Sequence, residues 1–144
     1  GRGVIDPAYD FTTFPEIVRS AEDAYRQAGI TDPRAELALA EVHDCFTPTE
    51  LVLMEDMGFS PRGHAWKDVL EGRFDGDGPQ PVNPDGGLKS FGHPIGASGL
   101  RMMYEMFLQL RGEAGPRQVP GAKVALITAG AFFFNATAYI LRAD

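Results

Sequence analysis

Cysteine is nearly absent from this chain of 144 residues, which contains Cys45 alone. A single cysteine allows no disulfide within the chain, and this favours a reducing compartment. No window approaches the ~20 continuous apolar residues of a membrane span, and the first residues lack a signal-peptide pattern. Basic residues are also few, 13 against 20 acidic ones, and the net charge is −7. Bulk electrostatics therefore argue against a nucleic acid or an anionic membrane as a partner.

The remaining composition is that of one globular domain with its own core, at 44% hydrophobic and 23% charged residues. Apolar spacing of three and four predicts helices at residues 15–28, 47–57, 65–72 and 100–110. We expect Thr47 and Glu50 to form a capping box, and the Met and aromatic stripe of the last helix to be core. Apolar runs predict strands at residues 37–42, 123–128 and 132–141, after an extended lead-in over residues 1–14. This alternation favours a layered α/β fold.

Residues 83–99 are predicted to form a loop, since five of the seventeen residues are glycine and two are proline. Glycine lets a backbone approach another backbone or a ligand closely. The loop holds His93 between Gly92 and Pro94, and the proline biases the histidine toward extended geometry. We interpret the segment as a site loop that presents His93. The alternative is a structural histidine that caps a turn.

A second candidate site, His43-Asp44-Cys45, follows a predicted strand. Strand ends are where α/β folds place their sites. A thiol beside a helix N-terminus can act as acid or base, and an imidazole can donate a hydrogen bond to an oxyanion. On spacing alone, a buried cysteine beside a hydrogen-bonded histidine is the favoured interpretation. Residues 75–78 resemble part of a calcium loop without its remaining ligands, so we expect no metal site.

Four motifs occur in the order His43-Asp44-Cys45-Phe46, residues 83–87, residues 92–99 and residues 109–112. Together they resemble the C-terminal half of a thiolase, and more narrowly the sterol-carrier-protein type and its lipid-transfer relatives. The resemblance runs from about Phe11 to near the C-terminus. It implies a thiolase-like half-domain over residues 1–144, with a mixed sheet and helices on both faces. It also implies a homodimer that acts on acyl-CoA, with the coenzyme A thioester as substrate and no other cofactor.

The resemblance also implies roles for individual residues. His93 would deprotonate the cysteine nucleophile of the family and help to hold the thioester oxyanion. His43 takes the place of an oxyanion-hole asparagine, and Cys45 would be the acid/base. The residues expected to lie against the substrate and its coenzyme A are Gly87, Gly92, Pro94 and Gly96. We expect a cytoplasmic location, or a peroxisomal one if the source is eukaryotic.

Two departures from the thiolase pattern affect the expected reaction. The family's nucleophilic cysteine belongs to an N-terminal half, so this chain alone should not complete thiolysis and needs that half as a partner. The family's last catalytic loop is Gly-rich, whereas residues 132–134 here are three phenylalanines. This favours the thiolase-like aldolases of steroid side-chain breakdown, which work with a small OB-fold partner protein.

Three functions therefore remain open from the sequence. The first is a thiolase-like acyltransferase that makes or breaks the C–C bond of a 3-oxoacyl-CoA. The second is an aldolase that cleaves a β-hydroxyacyl-CoA, for which Tyr104 is a possible additional acid, although its helical stripe favours the core. The third is an acyl-CoA binding module without catalysis.

Overall fold

The computed structural model of the chain describes residues 8–131 and 135–143. Its elements in chain order are α1 (Pro15–Ala28), α2 (Pro33–Glu36), β1 (Leu39–Glu41), α3 (Thr47–Asp56), α4 (Ala65–Leu70), α5 (Gly87–Phe91), α6 (Ser98–Arg111), a short 3-10 helix (Gly115–Arg117), β2 (Val124–Ala131) and β3 (Asn135–Arg142). The described strands form a sheet in the order β1-β2-β3. Strand β1 is parallel to β2, with Leu39 opposite Ala125, and β2 is antiparallel to β3, with Val124 opposite Arg142.

Helix α1 has the bounds that the sequence predicts. Pro15 is its first residue, where a fixed φ and a missing N–H cost nothing. Gly29 ends the helix in the left-handed region at φ 70°, and its N–H bonds to carbonyls of the last turn. Ile17 and Ala21, four residues apart, are buried against the sheet layer. Local signals therefore determine both ends of this helix.

Helices cover both faces of the sheet because successive residues of a strand point to opposite sides. On one face, Ala40 and Leu126 join a core cluster with Ile17 of α1 and Leu53 of α3. On the other face, the cluster consists mainly of Leu39, Ala125 and Ile127 from the strands and Met102 and Met106 from α6. The expected α/β fold, with a mixed sheet between helical layers, is confirmed.

The predicted capping box at the start of α3 is wrong. Thr47 is already the first helical residue, and Phe46 occupies the N-cap with an extended backbone and no side-chain cap hydrogen bond. The Glu50 carboxylate instead accepts a hydrogen bond from Asn83 Nδ2 at 3.2 Å. A tertiary contact has thus replaced the local one, and it joins α3 to the start of the predicted site loop.

The assignment of the α6 stripe to the core is also wrong for most of its residues. Leu100, Met103, Tyr104 and Phe107 are exposed, Tyr104 to 64%. The face turned to the sheet carries Met102, Met106 and two buried polar residues, Glu105 and Gln109. Those polar groups can be buried because Arg117 donates to Glu105 at 2.8 Å and Gln109 donates to the Arg117 carbonyl at 2.8 Å. We call Leu100, Met103, Tyr104 and Phe107 the outer face of α6.

The predicted strands near the C-terminus are found, with shifted bounds. The run at 123–128 extends through β2 to Ala131, and the run at 132–141 corresponds to β3, which begins at Asn135. Residues 132–134 lie outside the described residues, as do residues 1–7 of the predicted lead-in. None of the helices in the described part of the chain combines the length and apolar character needed to cross a membrane.

Candidate functional site

The start of the 83–99 loop is bonded to the end of β1. Ala40 donates to the Pro81 carbonyl at 3.0 Å, and the Asn83 N–H donates to the Ala40 carbonyl at 2.9 Å. Asn83 Oδ1 then accepts from the Val42 N–H at 2.8 Å. Asn83 adopts φ 50°, a left-handed conformation that asparagine tolerates better than most residues. These bonds hold the loop beside the segment that carries His43.

Asp44 makes the second connection between the two motifs. Its carboxylate accepts from the Leu88 N–H at 3.0 and 3.2 Å, at the beginning of α5. Gly87 lies so close to this carboxylate that a Cβ there would come within 2.8 Å of Asp44 Cγ. The Gly87 N–H donates a hydrogen bond to Asp85 Oδ1 at 2.8 Å. In this chain, the need for glycine at 87 comes from its approach to Asp44, and its predicted contact with coenzyme A stays a prediction.

The two connections bring the predicted site histidines together. His43 and His93, fifty positions apart in the chain, have ring centroids 4.7 Å apart with their planes at 78°. His43 is half-buried, whereas His93 lies on the exposed part of the loop. Ser98, the first residue of α6 and itself buried, places its Oγ 3.3 Å from His93 Nδ1. The pair therefore presents one sheltered and one open imidazole.

The surroundings of His43 favour its neutral form. Burial lowers the pKa of His43, and the neighbouring His93 lowers it further, while Asp44 acts in the opposite direction. A neutral imidazole has one N–H donor and one acceptor nitrogen. His43 can therefore donate a hydrogen bond to an oxyanion without carrying a charge near neutral pH.

Ser98 also bears on the tautomer of His93. Its Oγ lies 3.0 Å from the Pro94 carbonyl, which can only accept. When the hydroxyl hydrogen is donated there, Nδ1 of a neutral His93 must be the donor to Oγ. Nε2 then carries the lone pair and can take up a proton. In that tautomer the exposed histidine has the form required of a general base.

The other predicted site residues occupy the same region with less defined surroundings. Cys45 is half-buried, two residues beyond His43 and directly before the residue that caps α3. Gly92 adopts φ 78° and ψ 179°, a conformation that L-residues avoid. Pro94 and Gly96 are exposed, and a Cβ on Gly96 would meet no atom of the described residues within 4 Å. The two histidine rings are thus in contact with each other, whereas Cys45 lies near them because it is only two residues away from His43 in the chain.

Asn83, Asp44 and Ser98 have no individually predicted role, although all three lie inside the motifs that carry the resemblance. Asn83 and Asp44 accept from backbone N–H groups of the other segment, at Val42 and Leu88, whereas Ser98 contacts the His93 ring within its own motif. Their presence in Gly-rich or strand-end segments was the available signal. The predicted effect of the phenylalanines at 132–134 concerns residues outside the described part of the chain.

The chain resembles known proteins in sequence and in fold. The family model described as "Thiolase C-terminal domain-like" matches residues 3–143. The chain is 42% identical to the acetyl-CoA acetyltransferase of Methanothermobacter thermautotrophicus over 81% of its length and 30% of that protein. It is 46% identical to human sterol carrier protein 2 over 74% of its length and 19% of that protein.

A solved structure described as an "Ltp2-ChsH2(DUF35) aldolase" is also similar, with a TM-score of 0.81 and 26% identity. The alignment covers 96% of this chain and 35% of the solved chain. The chain thus spans between about a fifth and about a third of the proteins it matches. The match of the family model over nearly the whole sequence shows that the chain belongs to the thiolase C-terminal domain-like family.

Proposed function

We propose that this chain is the C-terminal part of a thiolase-like acyl-CoA enzyme and supplies His43 and His93 to a thioester site. The observation that carries the proposal is the ring contact between these two histidines, 4.7 Å between centroids, where two separate motifs meet. One imidazole is sheltered and kept neutral, and the other is open and oriented by Ser98. Such a pair suits hydrogen bonding to an oxyanion together with proton transfer.

The chemistry of a thioester explains why both roles are needed. In thiolysis, a cysteine nucleophile attacks the 3-oxo carbon, and the C2–C3 bond breaks with its electron pair moving onto the thioester as an enolate. The enolate carbon then takes a proton, and the thiol of free coenzyme A takes the acyl group from the cysteine, which regenerates the nucleophile. His43 would donate a hydrogen bond to the enolate oxygen, while His93 or Cys45 would move the proton. The exposed segment of Gly92, Pro94 and Gly96 would lie against the thioester and its coenzyme A.

The missing nucleophile leads us to propose an N-terminal half as partner. Relatives are three to five times longer than the matched segment, as 30% and 19% coverage imply. The outer face of α6 is apolar and exposed, and α6 begins at Ser98, next to His93. A helix with apolar residues on both sides is normally covered on both sides. We propose that the N-terminal half covers this outer face and brings its nucleophile to the site, within a homodimer.

An aldolase reaction is the second candidate, favoured by the solved aldolase whose fold covers 96% of this chain. Here the proton of a β-hydroxyl is removed, the bond between the α- and β-carbons breaks, and a ketone or aldehyde leaves. The same thioester enolate remains and takes a proton, so His43 and His93 would keep their roles. A steroid side-chain substrate and an OB-fold partner belong to this alternative.

Product analysis on the complete protein, meaning this chain joined to its N-terminal half, separates the candidates. It would receive a 3-oxoacyl-CoA with free coenzyme A, and separately a β-hydroxyacyl-CoA without it. Consumption of free coenzyme A with two acyl-CoA products supports thiolysis, and a ketone or aldehyde formed without coenzyme A supports aldol cleavage. Binding of acyl-CoA without turnover of either substrate would contradict both reactions and leave a binding module.

A further inference from the structure

The guanidinium of Arg101, in the first turn of α6, lies between two acidic side chains, one at the end of β1 and one in the 83–99 loop. Its Nη2 is 3.1 Å from Glu41 Oε2, and its Nη1 pairs with Asp85. Its central carbon also lies over the Phe91 ring, 5.4 Å from the centroid. The Arg101 side chain is 15% exposed, so these contacts are largely shielded from water.

Each partner of Arg101 stands next to an element of the histidine pair. Glu41 ends β1 two residues before His43, and Phe91 ends α5 two residues before His93. Asp85 Oδ1 accepts a hydrogen bond from the Gly87 N–H at 2.8 Å, and the next N–H, that of Leu88, donates to Asp44. The Arg101 guanidinium therefore connects the two segments that carry His43 and His93.

The burial of Glu41 makes its position beside Arg101 energetically important. Glu41 is fully buried, and neither of its carboxylate oxygens has a hydrogen bond with a donor of the described residues. Burial raises the pKa of Glu41, and the charge of Arg101 works against that rise. Removing Arg101 would leave this buried carboxyl group without the cation that faces it, which is unfavourable whenever the group is ionised.

We propose that Arg101 is a positioning residue that sets the separation and angle of the His43 and His93 rings. Its guanidinium fixes the end of β1 against the turn at residues 83–86 and the end of α5. Lysine cannot reproduce this, because one ammonium lacks the planar fork that faces two carboxylates and stacks on a ring. A shift of about 1 Å in such a pair costs up to about a hundredfold in turnover. The effect on turnover rests on the proposed function, whereas the ring geometry does not.

The test compares Arg101→Lys with Arg111→Lys in the complete protein. Arg111 is a matched control, since it also lies on α6, pairs with an acid (Glu113) and stacks on a ring (Phe107), but it is exposed. The readouts are NMR titration of the histidines, the NOE between the two imidazoles, the unfolding temperature and kcat. None of the NMR readouts needs substrate.

For Arg101→Lys we expect a folded protein in which the inter-ring NOE weakens and the His43 pKa rises, because His93 no longer adds its lowering influence. We expect kcat to fall at least about tenfold, while Arg111→Lys leaves both NMR readouts unchanged. An intact NOE and unchanged His43 titration in folded Arg101→Lys would overturn the proposal. If every acyl-CoA proves unreactive, the NMR readouts alone decide it.

A second variant keeps the test decisive if Arg101→Lys does not fold. Asp85→Asn removes one charge from the cluster while its Oδ1 can still accept from the Gly87 N–H. We expect this variant to fold and to change the His43 titration in the same direction by a smaller amount. Unchanged histidine titration and NOE in Asp85→Asn would then overturn the proposal.

Discussion

The carboxylate of Asp44 occupies the space that a side chain at Gly87 would need. The Gly87 backbone has φ 63°, and a Cβ on it would collide with the carboxylate that accepts from the Leu88 N–H. This contact joins the His43 motif to the loop that carries His93.

Gly87→Ala should destabilise the fold more than its backbone conformation alone predicts. Gly115 is a matched control, because it has the same φ of 63° and open space where its Cβ would be. We expect Gly115→Ala to lower the free energy of unfolding by about 1 kcal/mol, and Gly87→Ala by at least about 2 kcal/mol. Urea unfolding of both variants measures the difference. Equal losses would mean that the Asp44 contact contributes nothing.

Gly92→Ala should disturb the position of His93, while Gly96→Ala should not change stability. Gly92 has a backbone conformation that costs an alanine on the order of 1–3 kcal/mol, whereas Gly96 has an ordinary φ and open space. Thermal unfolding and turnover of the complete protein check both variants. Any requirement for glycine at position 96 would then come from contacts with the ligand, against which Gly96 is expected to lie, or with the N-terminal half. A Gly96→Val variant that loses acyl-CoA affinity at unchanged stability would support it.

The stability of the fold should fall in weak acid partly because of His43. Its pKa is lowered in the folded state, so below the ordinary pKa of about 6.5 the unfolded chain binds the proton more readily. The contribution is therefore lost as pH falls from about 6.5 through the lowered folded pKa. His43→Gln should flatten the dependence of unfolding free energy on pH between about 5 and 7. A His43→Gln slope equal to that of the wild type would contradict this expectation.

His93→Ala should lower turnover of the complete protein by at least about a hundredfold with the fold kept, because a positioned donor or base is lost. His93 is exposed, so little packing is removed. His93→Asn should restore part of the activity if hydrogen bonding to the oxyanion dominates, and none if proton transfer does. Steady-state kinetics on the preferred acyl-CoA distinguish these results. Turnover near that of the wild type in His93→Ala would leave a structural role for the loop.

Phe107→Glu should separate the two halves of the complete protein without unfolding this one. Phe107 is 51% exposed on the outer face of α6, where we propose that the N-terminal half packs. Burying a charge in an apolar interface is costly. We expect a lower first thermal transition and faster proteolysis between the halves. Leu70→Glu is the control, since Leu70 lies on α4 with 78% exposure. Identical behaviour of the two variants would argue against an interface on α6.

The sequence by itself determined the parts of this protein that depend on short-range physics. Pro15 and Gly29 mark both ends of α1, and Gly112 ends α6, because their backbone preferences act locally. The order of the motifs identified the family, and the glycine-rich loop indicated His93 as a site residue. The layered fold followed from alternating helical and strand patterns.

Only the tertiary structure decided what lies next to what. Periodicity shows that α6 is apolar on two sides but cannot say which side meets the sheet, so its outer face was assigned wrongly. Glu50 was expected to cap α3, yet Asn83 from a distant segment binds it instead. The contact of His43 with His93, and the pairing of Arg101 with Glu41 and Asp85, join residues 16 to 60 positions apart. Such contacts depend on how the chain closes its loops and buries its charges, which no local pattern records.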